Sequence, residues 1–215
     1  MTPTGSALAL FGGTFDPVHS AHLRGARTVA DVLHCPVHLL PNAVPPHRPQ
    51  PMASGAQRLA MLQLACEGEP GLVPDDWELR QRGPSWSLNT LRHFRTTLGP
   101  HRALVMVLGA DSFASLHQWH RWQDYPALCH LAVLPRPGAG EADIEVRTAF
   151  MPGDATDLLR APAGRRLMLD DPWLDFSATG IRAALAGEGH SNALPPAVER
   201  YIREQGLYNV PNRSH

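Results

Sequence analysis

The chain has 215 residues, 43% of them hydrophobic, with a formal net charge of -1 at pH 7. That is enough chain and apolar content for one packed soluble unit, and nothing in it approaches a membrane-spanning length. A near-neutral balance without a long basic run excludes a protein held to nucleic acid by nonspecific charge, leaving room only for a local basic pocket.

Ala7 to Phe11 is an apolar run suited to a buried parallel strand, and Gly12-Gly13 is expected to break it into a turn. Thr14, Asp16 and Pro17 continue a tight loop, in which Pro17 keeps Asp16 away from helical dihedrals. Ser20 offers an N-cap for a helix running to about Leu33, with an apolar face of Leu23, Ala26, Val29, Ala30 and Leu33. His19 and His22 straddle its start. Glycines that admit a phosphate to the backbone, free N–H groups at a helix N-terminus and two imidazoles together make an anion site. The lysine of GxxxxGK[ST] and the spacing of GxGxxG are both missing, so neither the P-loop nor the dinucleotide fingerprint applies. Three plainer readings compete: a simple turn, a pair of metal ligands, and core histidines. Zinc would need a third protein ligand, and none is spaced beside the pair.

Val37 to Leu40 reads as a second strand, followed by the proline-rich loop from Pro41 to Pro51 with His47 and Arg48 as cationic donors near its tip. Alone, this would be an ordinary surface loop. Gln57 to Cys66 is an amphipathic helix with Ser54 near its start, and Trp77 to Leu79 a weaker strand. Ser87 is a candidate cap for a helix carrying Leu88, Leu91 and Leu98, whose N-terminal N–H groups would suit a carboxylate. Ala103 to Leu108 is the most convincing buried strand; Asp111 follows it as a candidate helix cap. Trp119 and Trp122 flank His120 and Arg121 on the next helical stretch, where one tryptophan could stack on a planar ring or both could be core. Leu131 to Leu134 and Leu167 to Leu169 are further strands, and Pro135 to about Gly164 is rich in Gly, Ala and Pro and uninformative. A helix opens near Thr179, and a last one runs from Pro196 to about Gln205, with Gly206 at its C′ position.

Alternating strands and helices imply a doubly wound, Rossmann-like parallel α/β sheet, taken here as one domain over 1–215 with a small C-terminal helical part at about 171–210. In such a sheet the ligand sits at the carboxyl ends of the strands, at the topological switch point, and each motif follows a strand end. Cys35, Cys66 and Cys129 are odd in number and scattered, and the amino-terminal run is too short for a secretory leader, so reduced thiols in a cytoplasmic protein are expected.

GGTFDPVHSAH, residues 12–22, resembles the GG[TS]FDPxHxGH signature of the nucleotidylyltransferase superfamily, and specifically of the bacterial nicotinate mononucleotide adenylyltransferases. Ala21 stands where that family usually has glycine and is expected to add a methyl group close to the phosphate site. The loop around Pro45-Pro46-His47-Arg48, the segment Pro84-Ser85-Trp86-Ser87, the Asp111 position and Phe176-Ser177-Ala178-Thr179-Gly180-Ile181-Arg182 are similar to further motifs of the family, in the same order, over nearly the whole chain. The resemblance implies transfer of an adenylyl group from ATP to nicotinate mononucleotide, with Mg²⁺ held mainly by the phosphates and no protein metal ligands. It implies Gly12, Gly13, Thr14, Phe15, His19, His22, Ser177, Thr179 and Arg182 as ATP-binding residues, His19 and His22 being also the catalytic pair. It implies Asn42, His47, Arg48, Ser87, Asp111, Trp119 and His120 for nicotinate mononucleotide, Trp119 stacking on the pyridine. A homo-oligomer, a pantetheine-phosphate or cytidylyl variant of the reaction, and a noncatalytic nucleotide sensor stay open.

Overall fold

The computed structural model describes residues 7–43, 50–170 and 176–210; His47 and Arg48 lie outside the described residues. Among these, β1 (Ala7–Gly13), β2 (Val37–Pro41), β3 (Leu72–Pro74), β4 (Ala103–Gly109), β5 (His130–Leu134), β6 (Met151–Pro152) and β7 (Arg165–Met168) form one sheet. Every pairing is parallel, in the order β3-β2-β1-β4-β5-β7-β6. The helices are α1 (Ser20–Leu33), α2 (Gly55–Cys66), α3 (Ser87–Leu98), α4 (Ala110–Ala114), α5 (Ile144–Ala149), α6 (Ala155–Leu159), α7 (Ala178–Glu188) and α8 (Pro196–Glu204). None is long and apolar enough to cross a membrane.

Period-two alternation inside continuous apolar strands sorts the core into two layers. Ala7, Ala9 and Phe11 of β1 and Ala103, Val105 and Val107 of β4 face one layer, which α1, α2, α7 and α8 cover through Leu23, Leu62, Ile181 and Val198. Leu8, Leu10, Leu104, Met106 and Leu108 face the other, covered by Leu88, Leu91 and Phe94 of α3. Each fully buried leucine contributes roughly 1.5–3 kcal/mol, so the two layers hold β1 and β4 rigidly at the centre.

Several local expectations are corrected. Gly12 and Gly13 do not turn: they stay in β1, paired with Leu40 and Pro41, and the left-handed residue of the loop is Phe15 at φ 49°. Ser20 is the first helical residue of α1 and His19 the cap; Ser20 N and Oγ instead both donate to Ala193 O, at 2.8 and 2.9 Å. Ser87 likewise begins α3 behind Trp86, because Trp86 holds the extended backbone that a cap position needs. Trp77 to Leu79 is not a strand: the Asp75 carboxylate accepts from Trp77 N at 2.9 Å and turns the chain into a 3₁₀ segment over Glu78–Arg80, leaving the edge strand to Leu72–Pro74. Trp119 lies on extended backbone between two 3₁₀ segments rather than on a helix. The stretch after Pro135 contains α5, β6 and α6, started by Asp143 and Asp154 side chains that accept from Glu145 N and Asp157 N. Ala21 is only 2% exposed. Ser54, expected near the start of α2, caps it in a capping box with Gln57, and Pro196 and Gly206 take the expected ends of α8, Gly206 in the left-handed region; the helix expected to open near Thr179 is capped by Ser177.

Candidate active site

β1 and β4 lie side by side while their following helices cover opposite faces, which leaves a crevice at their carboxyl ends. The loop after β1 enters it. Phe15 is 1% exposed, and a Cβ on Gly13 would come within 3.0–3.2 Å of its ring, so glycine there lets the ring fold back under the strand end. Phe15 meets Phe11 edge-on at 6.0 Å and His22 at 5.0 Å. Gly12 is exposed with open space where its side chain would be. His22 stacks on His19 at 3.7 Å, and its Nδ1 accepts from His19 N at 3.3 Å, which leaves the ring proton on Nε2.

His19 is 3% exposed. Burial, and secondarily the charge of Arg136, pushes it down to about 4, so it stands neutral near pH 7. Its Nδ1, together with Thr14 Oγ1 and Asn42 Oδ1, is buried without a hydrogen-bond partner among the described residues. Each such atom costs about 1–3 kcal/mol, so three of them on the loops following β1 and β2 mark a place built for a polar ligand.

Two buried charges hold these loops, and both escaped the sequence-based candidates. Asp16, 5% exposed, accepts from Met52 N at 2.8 Å, Ala53 N at 3.1 Å and the Tyr208 hydroxyl at 2.6 Å. Burial first, then Asp16, raises Tyr208 and keeps the phenol a donor. Arg58, 1% exposed, donates to Thr14 O and Asn42 O, both at 2.8 Å, and to Ala53 O at 3.3 Å, clamping the first and second loops together. In sequence Asp16 reads only as part of a tight loop and Arg58 carries no signal, because the partners of both are brought in from other elements.

The α7 motif joins this centre. Arg182 donates to Asp16 O at 2.7 Å and to Thr179 Oγ1 at 3.3 Å, while Ser177 Oγ accepts from Gly180 N at 3.1 Å as the cap. Across the crevice, Asp111 in the first turn of α4 pairs with Arg136 at 2.7 Å; both are over a third exposed, so the pair adds only about 0–1 kcal/mol of stability. Trp122 is core, whereas Trp119 is half-buried and edge-on to Tyr125 at 6.4 Å. His120 is exposed and stacks on Trp86 at 4.8 Å, which brings the Trp119 turn to the N-terminus of α3. There buried Tyr125 takes hydrogen bonds from the Ser87 hydroxyl and from Leu88 N, and Asn89 N donates to Trp86 O at 2.9 Å, so of these first-turn groups it is the Ser87 N–H that is left to meet a ligand carboxylate.

Residues 10–184 match the family described as cytidylyltransferase-like. A chain of Laribacter hongkongensis named "Probable nicotinate-nucleotide adenylyltransferase" is 47% identical over 210 residues, covering 94% of each chain. One of the same name from Yersinia enterocolitica is 43% identical over 217 residues, covering 96% of this chain and 97% of its own. Among solved structures, Plasmodium falciparum nicotinic acid mononucleotide adenylyltransferase complexed with NaAD shares the fold, with a TM-score of 0.74 at 15% identity over 96% of this chain and 98% of that one.

Proposed function

The chain belongs to the cytidylyltransferase-like family and, within it, to the nicotinate-nucleotide adenylyltransferases, and from that membership we infer its chemistry. It transfers the adenylyl group of ATP to nicotinate mononucleotide, forming nicotinate adenine dinucleotide and pyrophosphate on the route to NAD. The 5′-phosphate oxygen of the mononucleotide bonds to the α-phosphorus in line as the bond from that phosphorus to the bridging oxygen breaks and pyrophosphate leaves. Both reactants bring their own nucleophile and leaving group, so no covalent protein intermediate is needed and catalysis consists of placement and charge stabilisation.

The observation that carries this reading in the structure is the trio of atoms unpartnered among the described residues, Thr14 Oγ1, His19 Nδ1 and Asn42 Oδ1, on the loops that follow the adjacent strands β1 and β2. The open backbone at Gly12, with Gly13 and Phe15 shaping the loop and the N-terminus of α1 behind it, receives the ATP phosphates. His22, with its Nε2 proton, and neutral His19 donate at the α-phosphate. Arg182, beside Thr179 and the N-terminus of α7 capped by Ser177, meets the phosphate tail. On the mononucleotide side Asn42, Asp111 and the loop bearing His47 and Arg48 contact the ribose phosphate, Trp119 stacks on the pyridine, and N–H groups at Ser87 and His120 take the carboxylate.

Mg²⁺ fits this site as an ion carried in on the triphosphate. Asp16, the loop carboxylate, already has its oxygens engaged by Met52, Ala53 and Tyr208, and no group of three or more His, Cys, Asp or Glu among the described residues could hold a metal ion. When bound it supplies neutralising charge to the phosphates. The place of this reaction is the cytoplasm, with its thiols reduced; burial pushes both Cys35 and Cys66 up to about 11, which keeps them inert there.

The test is pyrophosphate release from ATP and Mg²⁺ with nicotinate mononucleotide, nicotinamide mononucleotide or phosphopantetheine as acceptor. Preference for the nicotinate form is expected. Equal use of both pyridines overturns the carboxylate site at α3, and release with phosphopantetheine or with none overturns the reaction.

A further inference from the structure

Beneath the mononucleotide side of the crevice lies a carboxylate that the reaction above does not use. Glu78, in the 3₁₀ segment before α3, is 6% exposed. Its Oε1 accepts from Thr90 Oγ1 at 2.6 Å, and it also accepts from the Ser85 hydroxyl. Ser85 Oγ in turn accepts from Ala43 N at 2.9 Å. A carboxylate can only accept, so both hydroxyl protons point at Glu78 and the Ser85 lone pair is left to face Ala43. The relay thus has one direction and one geometry.

Its two ends lie on the two segments to which the mononucleotide is assigned above. Ala43 follows Asn42, whose Oδ1 is one of the unpartnered atoms, and Ser85 precedes Trp86 and Ser87 at the start of α3. Arg58 holds Asn42 to the first loop and Asp16 holds the first loop to Tyr208, but neither reaches α3. We propose that Glu78 is a positioning residue for nicotinate mononucleotide, fixing through Ser85 the span between the Asn42 loop and the N-terminus of α3; this rests on the reaction inferred above. The ATP-side contacts of Arg182, His19 and His22 are independent of it, so its loss falls on one substrate.

The experiment is a cycle of Glu78→Gln, Ser85→Ala and the double variant, with KM measured for each substrate and kcat alongside. Glutamine keeps the shape, but its single carbonyl oxygen cannot accept from both hydroxyls without displacing one of them. Each single variant is expected to raise KM for nicotinate mononucleotide about tenfold while KM for ATP and kcat stay within about twofold, the loss of one hydrogen bond to a buried charge. The double variant is expected to be no worse than the stronger single one, because both cut the same relay. An unchanged KM for the mononucleotide, a rise for ATP in step with it, or effects that multiply in the double variant would overturn the proposal. Should Glu78→Gln fail to fold, Ser85→Ala, at a half-buried position, carries the KM comparison alone. No pyrophosphate from the unaltered chain would overturn the reaction and this role together, whereas normal turnover with unmoved constants in the variants overturns the role of Glu78 only.

Discussion

Tyr208→Phe removes one oxygen and nothing else, so its effect can be worked through in advance. The Tyr208 hydroxyl donates to Asp16 Oδ1 at 2.6 Å, and both residues are 5% exposed. Phenylalanine keeps the packed ring but leaves that carboxylate oxygen with only Ala53 N at 3.1 Å. A hydrogen bond to a buried charge contributes about 1.5–3 kcal/mol. For a chain of this length each kcal/mol moves Tm by about 2–4 °C, so a fall of roughly 3–12 °C is expected in a thermal melt. Because Asp16 also holds Met52 N and, through its carbonyl, Arg182, the slackened loop is expected to raise KM for ATP about five- to tenfold with little change in KM for the mononucleotide. A melt within about 1 °C of the unaltered chain and an unchanged KM for ATP would refute the idea that this contact shapes the phosphate loop.

Stability should follow the charge of His19. Its folded-state pKa, about 4, lies below the usual 6.5, so the unfolded chain takes up the proton first as pH falls. The stabilisation is present in full above pH 6.5 and is lost between there and about 4, by about 3 kcal/mol in all; urea melts across that range should show His19→Asn losing less stability than the unaltered chain, and parallel losses would sink the assignment. His22→Ala is expected to lower kcat by about 10²–10³ with the fold intact by circular dichroism, and normal turnover would remove His22 from the chemistry. Trp119→Ala should raise KM for the mononucleotide several-fold, the loss of a stacking contact of about 0.5–1.5 kcal/mol, with KM for ATP unmoved; equal rises would make Trp119 a packing residue only.

The sequence displays what is decided locally. β1, β4 and β5 announce themselves as unbroken apolar runs because both of their faces are covered, and Ser54 with Gln57, Ser177 and Pro196 with Gly206 mark helix ends by chemistry confined to a few neighbours. What is decided at a distance stays hidden. The partners of Asp16 and Arg58 lie on other elements, and β3 and β6 are three and two residues long, too short for alternation to show. His19 and Trp86 take cap positions that serine chemistry would assign to Ser20 and Ser87, because packing of the preceding loops, rather than side-chain preference, sets where the backbone becomes helical. Glycines at 12 and 13 look like a turn and are in fact strand, one open to solvent and one making room for the Phe15 ring.

The first helix residue is tied to Ala193, across 173 residues of sequence, and Asp16 to Tyr208, across 192. Early in synthesis, therefore, the emerging polypeptide carries the entire GGTFDPVHSAH string while the groups that shape it have yet to be made. Strand pairing of β1 with β2 can proceed without them, but α1 has no brace at its first turn and the Asp16 carboxylate lacks its phenol. The final shape of the first loop thus arrives late in translation, set by groups made nearly two hundred residues after it.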